Sequence, residues 1–364
     1  MSLFYRPVTT TQDVPADAPH ADTPPSHPAP EHSGSTATPE HATGEGARPG
    51  QPTTHTAEWH TERANGIGAS EVGVLLGLSS YDSPWSLWCR KVGLLPDDHE
   101  DTPRLRIGRR MEPVIAAEFH DRTGLHVASE QMMVRDPEHP HRRATLDGLV
   151  YDGGFDADID AALGVFEAKT DGRFGWDEIP PAYVAQIRWQ MGVTGLDRGW
   201  LAVMFAGFRF EVYEITQDPE DWRFMCERAD EFWRMVIEQT PPPVDGSDAT
   251  ARAIAARWPN HDPDSMCVAG ERLADTLAKR KALKARVLAD EKTLKQMDAE
   301  IAIAIADREM VTVDGVPAWS YKSQTKTTID GRAMAAALDV DPAPWSKTTT
   351  YRVLREIANN NKEK

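Results

Sequence analysis

The sequence predicts an α/β protein with a mixed central sheet flanked by helices, followed by a long helix and a small hairpin. Three observations lead there. Apolar residues recur at helical spacing up to residue 123. Short strand-like runs separated by Gly, Asp and Pro then fill about 126–215 around one further helical segment. A triple proline, Pro241-Pro242-Pro243, separates this core from a charged helical stretch over 270–308.

Residues 1–56 are rich in Pro, Thr, Ser, Ala, Gly and His and contain no aromatic residue after Phe4 and Tyr5, so they read as a disordered tail. Order begins near Trp59. Ser70 is placed to cap a helix carrying Val72, Leu75 and Leu76, and Ser83 with Pro84 starts a second that ends before Gly93. Residues 103–123 make a third, with Met111, Ile115 and Phe119 on one face and Gly124 as its stop. Strands are expected within 126–134, 143–151 and 163–170, a helix over 181–195, strands at 199–205 and 209–215, and a helix from Trp222 to Val236. The long helix over 270–308 presents Leu273, Leu277, Leu288, Leu294, Ile301 and Ile305 in an imperfect heptad register. A hairpin turning at Asp314-Gly315 follows, with Trp319 and Tyr321 on its return. The expected divisions are a tail over 1–56, a core domain over 57–243 and an extension over 244–364.

With 364 residues and 40% hydrophobic side chains the chain can bury a sizeable core. No stretch approaches the roughly 18 apolar residues of a membrane helix, and no secretory signal is evident, so a soluble, cytoplasmic protein is expected, in the host cytoplasm if the gene belongs to a phage. Cys89, Cys226 and Cys267 are too far apart in sequence for a CxxC pair, which argues against zinc or iron–sulfur ligation. The net charge is -17, and residues 57–278 alone carry -17, with -4 before and +4 after them. Such a body does not coat nucleic acid non-specifically; any polyanionic substrate must meet a local cationic path or a metal.

The main chemical signal is Asp147, in Ala-Thr-Leu-Asp-Gly, followed by Glu167-Ala168-Lys169. Side chains two apart on a strand share a face, so Glu167 and Lys169 stand together, and a neighbouring strand can bring Asp147 beside them. Two carboxylates and a lysine at the end of a sheet suit a Mg²⁺ site with an ammonium to position water. The triplet alone is frequent by chance, and taken by itself it reads more readily as an exposed edge-strand ion pair. The apolar Val165-Phe166 ahead of it favours a buried strand, where an unpaired charge is costly.

The pattern resembles the PD-(D/E)xK nucleases, with Leu146 in place of the usual proline. A wider set of motifs resembles the lambda-exonuclease and YqaJ viral recombinase family within that superfamily. These are Trp59, Arg63 and Gly66-Ile67-Gly68-Ala69-Ser70-Glu71, then Leu76-Gly77-Leu78-Ser79 and Trp85-Ser86-Leu87-Trp88 with Lys91 and Gly93, then Gly108-Arg109-Arg110-Met111-Glu112-Pro113, and Tyr183-Val184-Ala185-Gln186. They occur in the family's order over about 59–215.

The resemblance implies a restriction-endonuclease-like core and a Mg²⁺-dependent exonuclease, with Mn²⁺ as an alternative ion and two ions in the site. It would digest the 5′ strand of linear duplex DNA and leave 3′ single strands for recombination. Asp147, Glu167 and the Ala168 carbonyl would hold metal, Glu112 would assist, Lys169 would orient water, and Tyr183 and Gln186 would complete the site from one helical face. Arg63 and Ser70 would bind the 5′-phosphate, a fork and a hydroxyl at a helix start suiting an anion, although a plain N-cap role for Ser70 needs no phosphate. The resemblance also implies double-stranded DNA ends as substrate, a single-strand annealing protein as partner, and a homo-oligomeric ring, usually trimeric. An endonuclease or repair nuclease of the same superfamily would share the metal site and accept circular DNA. A catalytically silent DNA-binding or scaffold protein would use the long helix for contact and would not need the intact Asp147, Glu167 and Lys169.

Overall fold

The computed structural model describes residues 5–7, 57–96, 102–128, 132–153, 159–349 and 351–352. Its contacts divide the chain into two units, Met1–Trp258 and Pro259–Lys364. Among the described residues no helix is long and apolar enough to cross a membrane.

The first unit begins with strand β1 (Tyr5–Pro7), then helices α1 (Ala57–Ala64), α2 (Ala69–Leu75), α3 (Pro84–Lys91) and α4 (Pro103–Thr123). Strands β2 (His126–Ala128), β3 (Met132–Arg135), β4 (Arg143–Leu146), β5 (Gly148–Tyr151) and β6 (Gly164–Asp171) follow. Helix α5 (Pro181–Thr194), strands β7 (Arg198–Phe205) and β8 (Phe210–Thr216), and helices α6 (Pro219–Ile237) and α7 (Asp248–Arg257) complete it.

The helix boundaries have local causes. At α3 the Ser83 hydroxyl accepts from the Ser86 amide at 3.2 Å with Pro84 behind it. At α4 Thr102 does the same for Leu105, and Gly124 closes the helix in the left-handed region, φ 74°. At α6 the Asp218 carboxylate accepts from the amides of Glu220 and Asp221. The start of α2 departs from expectation: its N-cap is Gly68, and the Glu71 carboxylate reaches back to the Gly68 amide at 2.8 Å. Ser70 lies inside the helix, so its hydroxyl is free of the capping duty assigned from sequence.

The sheet runs β1-β8-β7-β6-β5-β2. Among the described strands of this sheet only β6 and β7 pair parallel, with Val165 opposite Gly199 through Asp171 opposite Phe205; β5 joins β6 antiparallel, Gly148 opposite Phe166. The sheet is therefore mixed, as expected. Strands β3 and β4 form a separate small hairpin. Alternation along β6 and β7 divides the core into two. Phe166, Ala168, Trp200 and Ala202 meet Ile115 and Phe119 of α4 on one face. Val165, Leu201 and Val203 join the opposite cluster with α5, α2, α3 and α6. Residues 5–7, assigned to the tail from composition, instead pair with β8, whose outer edge offers unpaired backbone groups. The rest of the expected tail lies outside the described residues.

The expected boundary at the triple proline is also displaced. The prolines follow the end of α6, but α7 packs back on the first unit: Thr250 Oγ1 donates to Ser83 Oγ at 2.7 Å, Ala249 and Ala253 are buried, and Trp258 lies 6.2 Å from Trp85. The division falls after Trp258 for that reason. The second unit contains the 35-residue α8 (Glu271–Ile305), the hairpin β9 (Met310–Val313) and β10 (Val316–Ser320), and α9 (Gly331–Leu338). Asp314 and Gly315 both take positive φ, 51° and 80°, as a two-residue hairpin turn requires.

Helices α5 and α6 meet where Gly192 faces Trp222, and a Cβ at Gly192 would lie 2.2 Å from that indole. Gly192→Ala is expected to lower stability by about 1–3 kcal/mol through overpacking. Urea denaturation checks this; an unchanged midpoint would show that Trp222 swings away freely.

Candidate active site

The site forms where the β3–β4 hairpin ends and the central sheet begins. Asp147 sits at this junction, between β4 and β5. The following glycine is sterically required: a Cβ at Gly148 would come within 2.6 Å of Val127 and 2.9 Å of the Ala128 carbonyl on β2. The pairing of β5 with β6 then carries Asp147 past Phe166, where its Oδ2 accepts the Ala168 amide at 3.0 Å. In an extended strand the amide and carbonyl of one residue leave by the same edge, so the Ala168 carbonyl faces this side too.

Glu167 is only 2% exposed, yet its carboxylate is well supplied with donors. Oε1 accepts from Gln186 Nε2 at 2.6 Å and from the Lys169 ammonium; Oε2 accepts from Gln190 Nε2 at 2.7 Å. The Lys169 ammonium lies 5.4 Å from the centre of the Tyr183 ring. Tyr183, Gln186 and Gln190 stand at i, i+3 and i+7 on α5, one helical face turned toward β6. The structure thus brings Asp147, Glu167, Ala168, Lys169, Tyr183 and Gln186 together, and adds Gln190, which the sequence reading missed. Its signal was the spacing from Gln186, one turn further along the same face.

Burial, with the Glu167 charge next and then Glu112, pushes the Asp147 carboxyl well above its usual range, against the pull of Lys169 and the Ala168 amide. Burial would lower the Lys169 ammonium, but Glu167 and Asp147 outweigh it and raise it above its ordinary value. The lysine is therefore a protonated donor at neutral pH, suited to orienting an oxygen rather than taking its proton. Glu112, on α4, is near enough to act on Asp147 through its charge. Among the described residues no three His, Cys, Asp or Glu side chains converge to ligating distance. The side-chain donor set for a hard cation is therefore Asp147 and Glu167, to which the Ala168 carbonyl can be added. All are oxygens, and two carboxylates against one ammonium leave the site short of positive charge, so the residues fit a Mg²⁺-type ion.

Arg63 and Ser70 also come together, in a different place. Arg63 Nη2 donates to Ser70 Oγ at 3.1 Å, its guanidinium lies 5.3 Å from the Trp59 ring, and its Nε is 3.9 Å from the Glu71 carboxylate. Both line an open cleft of about 510 Å³ shared with Ser86, Arg90 and Arg252. Arg90 is held by Asp82, and Arg252 donates to the Tyr81 carbonyl at 3.1 Å. Asp147, Glu167 and Lys169 are not among the described residues lining this cleft. The two regions are joined through α2, whose Gly73 packs on Ala182 beside Tyr183.

Residues 58–197 match the family model of the YqaJ-like viral recombinase domain. The chain is 29% identical over 209 residues to the uncharacterized protein YqaJ of Bacillus subtilis (strain 168), covering 55% of this chain and 63% of that relative, less than two thirds of its length. Among solved structures it is similar to an alkaline exonuclease from Laribacter hongkongensis, at 18% identity and a TM-score of 0.40, covering 51% of this chain and 94% of that one. It is also similar to a phage-related exonuclease from Haemophilus somnus 129PT, at 12% identity and a TM-score of 0.37, covering 48% and 96% of the two chains.

Gln190 is fully buried and its Nε2 also reaches the Thr145 carbonyl at 3.2 Å, tying the hairpin to Glu167. Gln190→Leu strips Glu167 Oε2 of its donor and is expected to cost about 1–3 kcal/mol, the penalty for a buried polar atom left without a partner. Chemical denaturation measures it, and wild-type stability in the variant would show that Glu167 does not depend on this contact.

Proposed function

We propose that this protein is a Mg²⁺-dependent DNA exonuclease that degrades the 5′ strand of linear duplex DNA and leaves a 3′ single strand for recombination. The observation that carries the reading is the buried Glu167 carboxylate, clamped by Gln186, Gln190 and Lys169 beside Asp147. The match of residues 58–197 to a viral recombinase domain supports it, and the relatives described as exonucleases motivate the reaction class.

Asp147, Glu167 and the Ala168 carbonyl would hold the ion. A bound Mg²⁺ would supply charge to offset that developing on the phosphate and would favour ionisation of a water. Lys169, whose ammonium is held by Glu167, would orient that water and keep its proton. Gln186 and Gln190 fix both oxygens of Glu167, so the carboxylate is preorganised and need not reorient when substrate arrives. Tyr183 supports the ammonium with its ring, and Glu112 adds negative charge that strengthens the preference for a cation. The family resemblance implies the polarity, and the Arg63–Ser70 pair suits it: a guanidinium and a hydroxyl already in contact, facing an open cleft with Arg90 and Arg252, can hold a terminal phosphate.

Glu167→Ala or Lys169→Ala is expected to abolish Mg²⁺-dependent digestion of linear duplex DNA while the fold persists. Undiminished cleavage in either purified variant, compared with and without EDTA, would remove the assignment; digestion of closed-circular duplex at the linear rate would point to an endonuclease.

If Arg63 and Ser70 grip a terminal phosphate, their binding energy is available only to a substrate that carries it. Such a charge-assisted contact contributes about 1.5–3 kcal/mol, and each 1.4 kcal/mol is about tenfold in rate. Duplexes with 5′-phosphate ends should therefore be digested about ten- to a hundredfold faster than 5′-hydroxyl ones, and Arg63→Ala should erase most of the difference. Matched substrates under chemistry-limited conditions test this, and equal wild-type rates would discard the phosphate anchor.

A further inference from the structure

Strands β6 and β7 are parallel, so the loops that leave them, 172–180 and 206–209, emerge at the same end of the sheet. Two phenylalanines stand out there: Phe174 is 76% exposed and Phe208 is 87% exposed. The loops are bound together, with the Ala206 amide donating to the Arg173 carbonyl at 3.0 Å and Arg209 Nη1 to the Phe174 carbonyl at 3.3 Å. The Phe174 ring lies over the Gly207 backbone, 3.5 Å from where a Cβ would sit. Phe208 has φ 61°, a left-handed conformation in which Gly or Asn would be cheaper. The loop thus presents an aromatic ring to solvent from a backbone state that disfavours it.

This patch adjoins the site already described. Trp176 donates to Asp171 at 2.9 Å and packs on Phe205 and on Tyr183, whose ring lies beneath Lys169. Phe174 is five residues beyond Lys169, so it lies within about 17 Å along the chain. Both rings are flanked by cations. Arg173 pairs with Asp171 at 2.7 Å and Arg209 with Glu211, and both guanidiniums remain more than half exposed.

Exposed ring faces interleaved with arginines match single-stranded nucleic acid, whose bases are free to stack and whose phosphates need counter-charge. A duplex hides its base faces, and an apolar protein partner would be poorly served by rings set between guanidiniums. We infer that Phe174 and Phe208, with Arg173 and Arg209, form a stacking platform for unpaired bases of a DNA strand a few nucleotides from the Glu167–Lys169 centre. The inference rests on the nuclease reading for its choice of DNA, but its test does not require cleavage.

The test is fluorescence anisotropy of a labelled oligothymidylate with the full chain in EDTA, with a blunt duplex in parallel. Phe174→Ser and Phe208→Gly are each expected to weaken oligothymidylate binding by about five- to a hundredfold, the range for loss of one base–aromatic stack, and to leave duplex affinity unchanged. Phe208→Gly also relieves the left-handed backbone, so its melting temperature should equal or exceed that of the wild type, and unfolding cannot explain the loss. Wild-type oligothymidylate affinity in both variants overturns the platform, as does an oligomer in size-exclusion chromatography that Phe208→Gly dissolves without changing that affinity. Loss of oligothymidylate binding in a protein that never cleaves DNA sustains the platform and rejects the nuclease; cleavage with unaltered binding does the reverse.

Discussion

A carboxylate inside a sheet is the constraint on which the rest of the first unit depends. Removing Glu167 from water costs several kcal/mol unless its oxygens find donors. The strand supplies one through Lys169, and the other two must come from a helix lying across it. Helix α5 is held there at several points: Arg188 pairs with Asp221 of α6, Gln217 donates to the Arg188 carbonyl at 2.9 Å, and Trp189 donates to the Arg143 carbonyl at 2.7 Å. The close approach at Gly192 and the contact at Gly73 set its depth. The helix position, its glycines and the β3–β4 hairpin all serve the hydrogen bonds of one buried group.

Much of this was legible in the sequence, for identifiable reasons. Strand periodicity places Glu167 and Lys169 on one face and helical spacing places Tyr183 and Gln186 on another, because both are local repeats that the backbone enforces; that the two faces meet was implied only by the family resemblance. The caps at Ser83 and Gly124 were legible for the same reason. Ser70 does not cap α2 because the chain becomes helical after Gly68, which is extended (φ -83°, ψ 162°), and Ser70 then lies inside the first turn; a serine and a glycine at the start of one helix offer the same local signal, and only tertiary packing chooses between them. The membership of α7 in the first unit was not legible, since it depends on Thr250 meeting Ser83 across 167 positions of sequence. Gln190 shares the helical face of Gln186, but that spacing alone does not tell a bonded glutamine from a solvated one until Glu167 is seen opposite it.

The charge distribution resolves a conflict raised by composition. A net charge of -17 opposes nucleic acid in general. Yet the arginines Arg63, Arg90 and Arg252 gather in one cleft, and Arg173 and Arg209 flank one end of the sheet. Several of these are paired with carboxylates, which sets their geometry while limiting their reach. An acidic body with local arginine clusters attracts an anion at those clusters and repels it elsewhere, and added salt screens both effects.

The parallel pairing of β6 and β7 also decides where the chain tolerates insertion. Glu167 and Lys169 occupy ladder positions whose register is shared with Leu201 and Val203, so an insertion there would turn every following side chain to the wrong face. The loops beyond Asp171 and Phe205 carry no such register, and they open side by side at the same end. A change in the length or residues of these two loops therefore leaves the ladder in register. Glu167 and Lys169 are held by the rigid part, and what lies beside them can change without moving them.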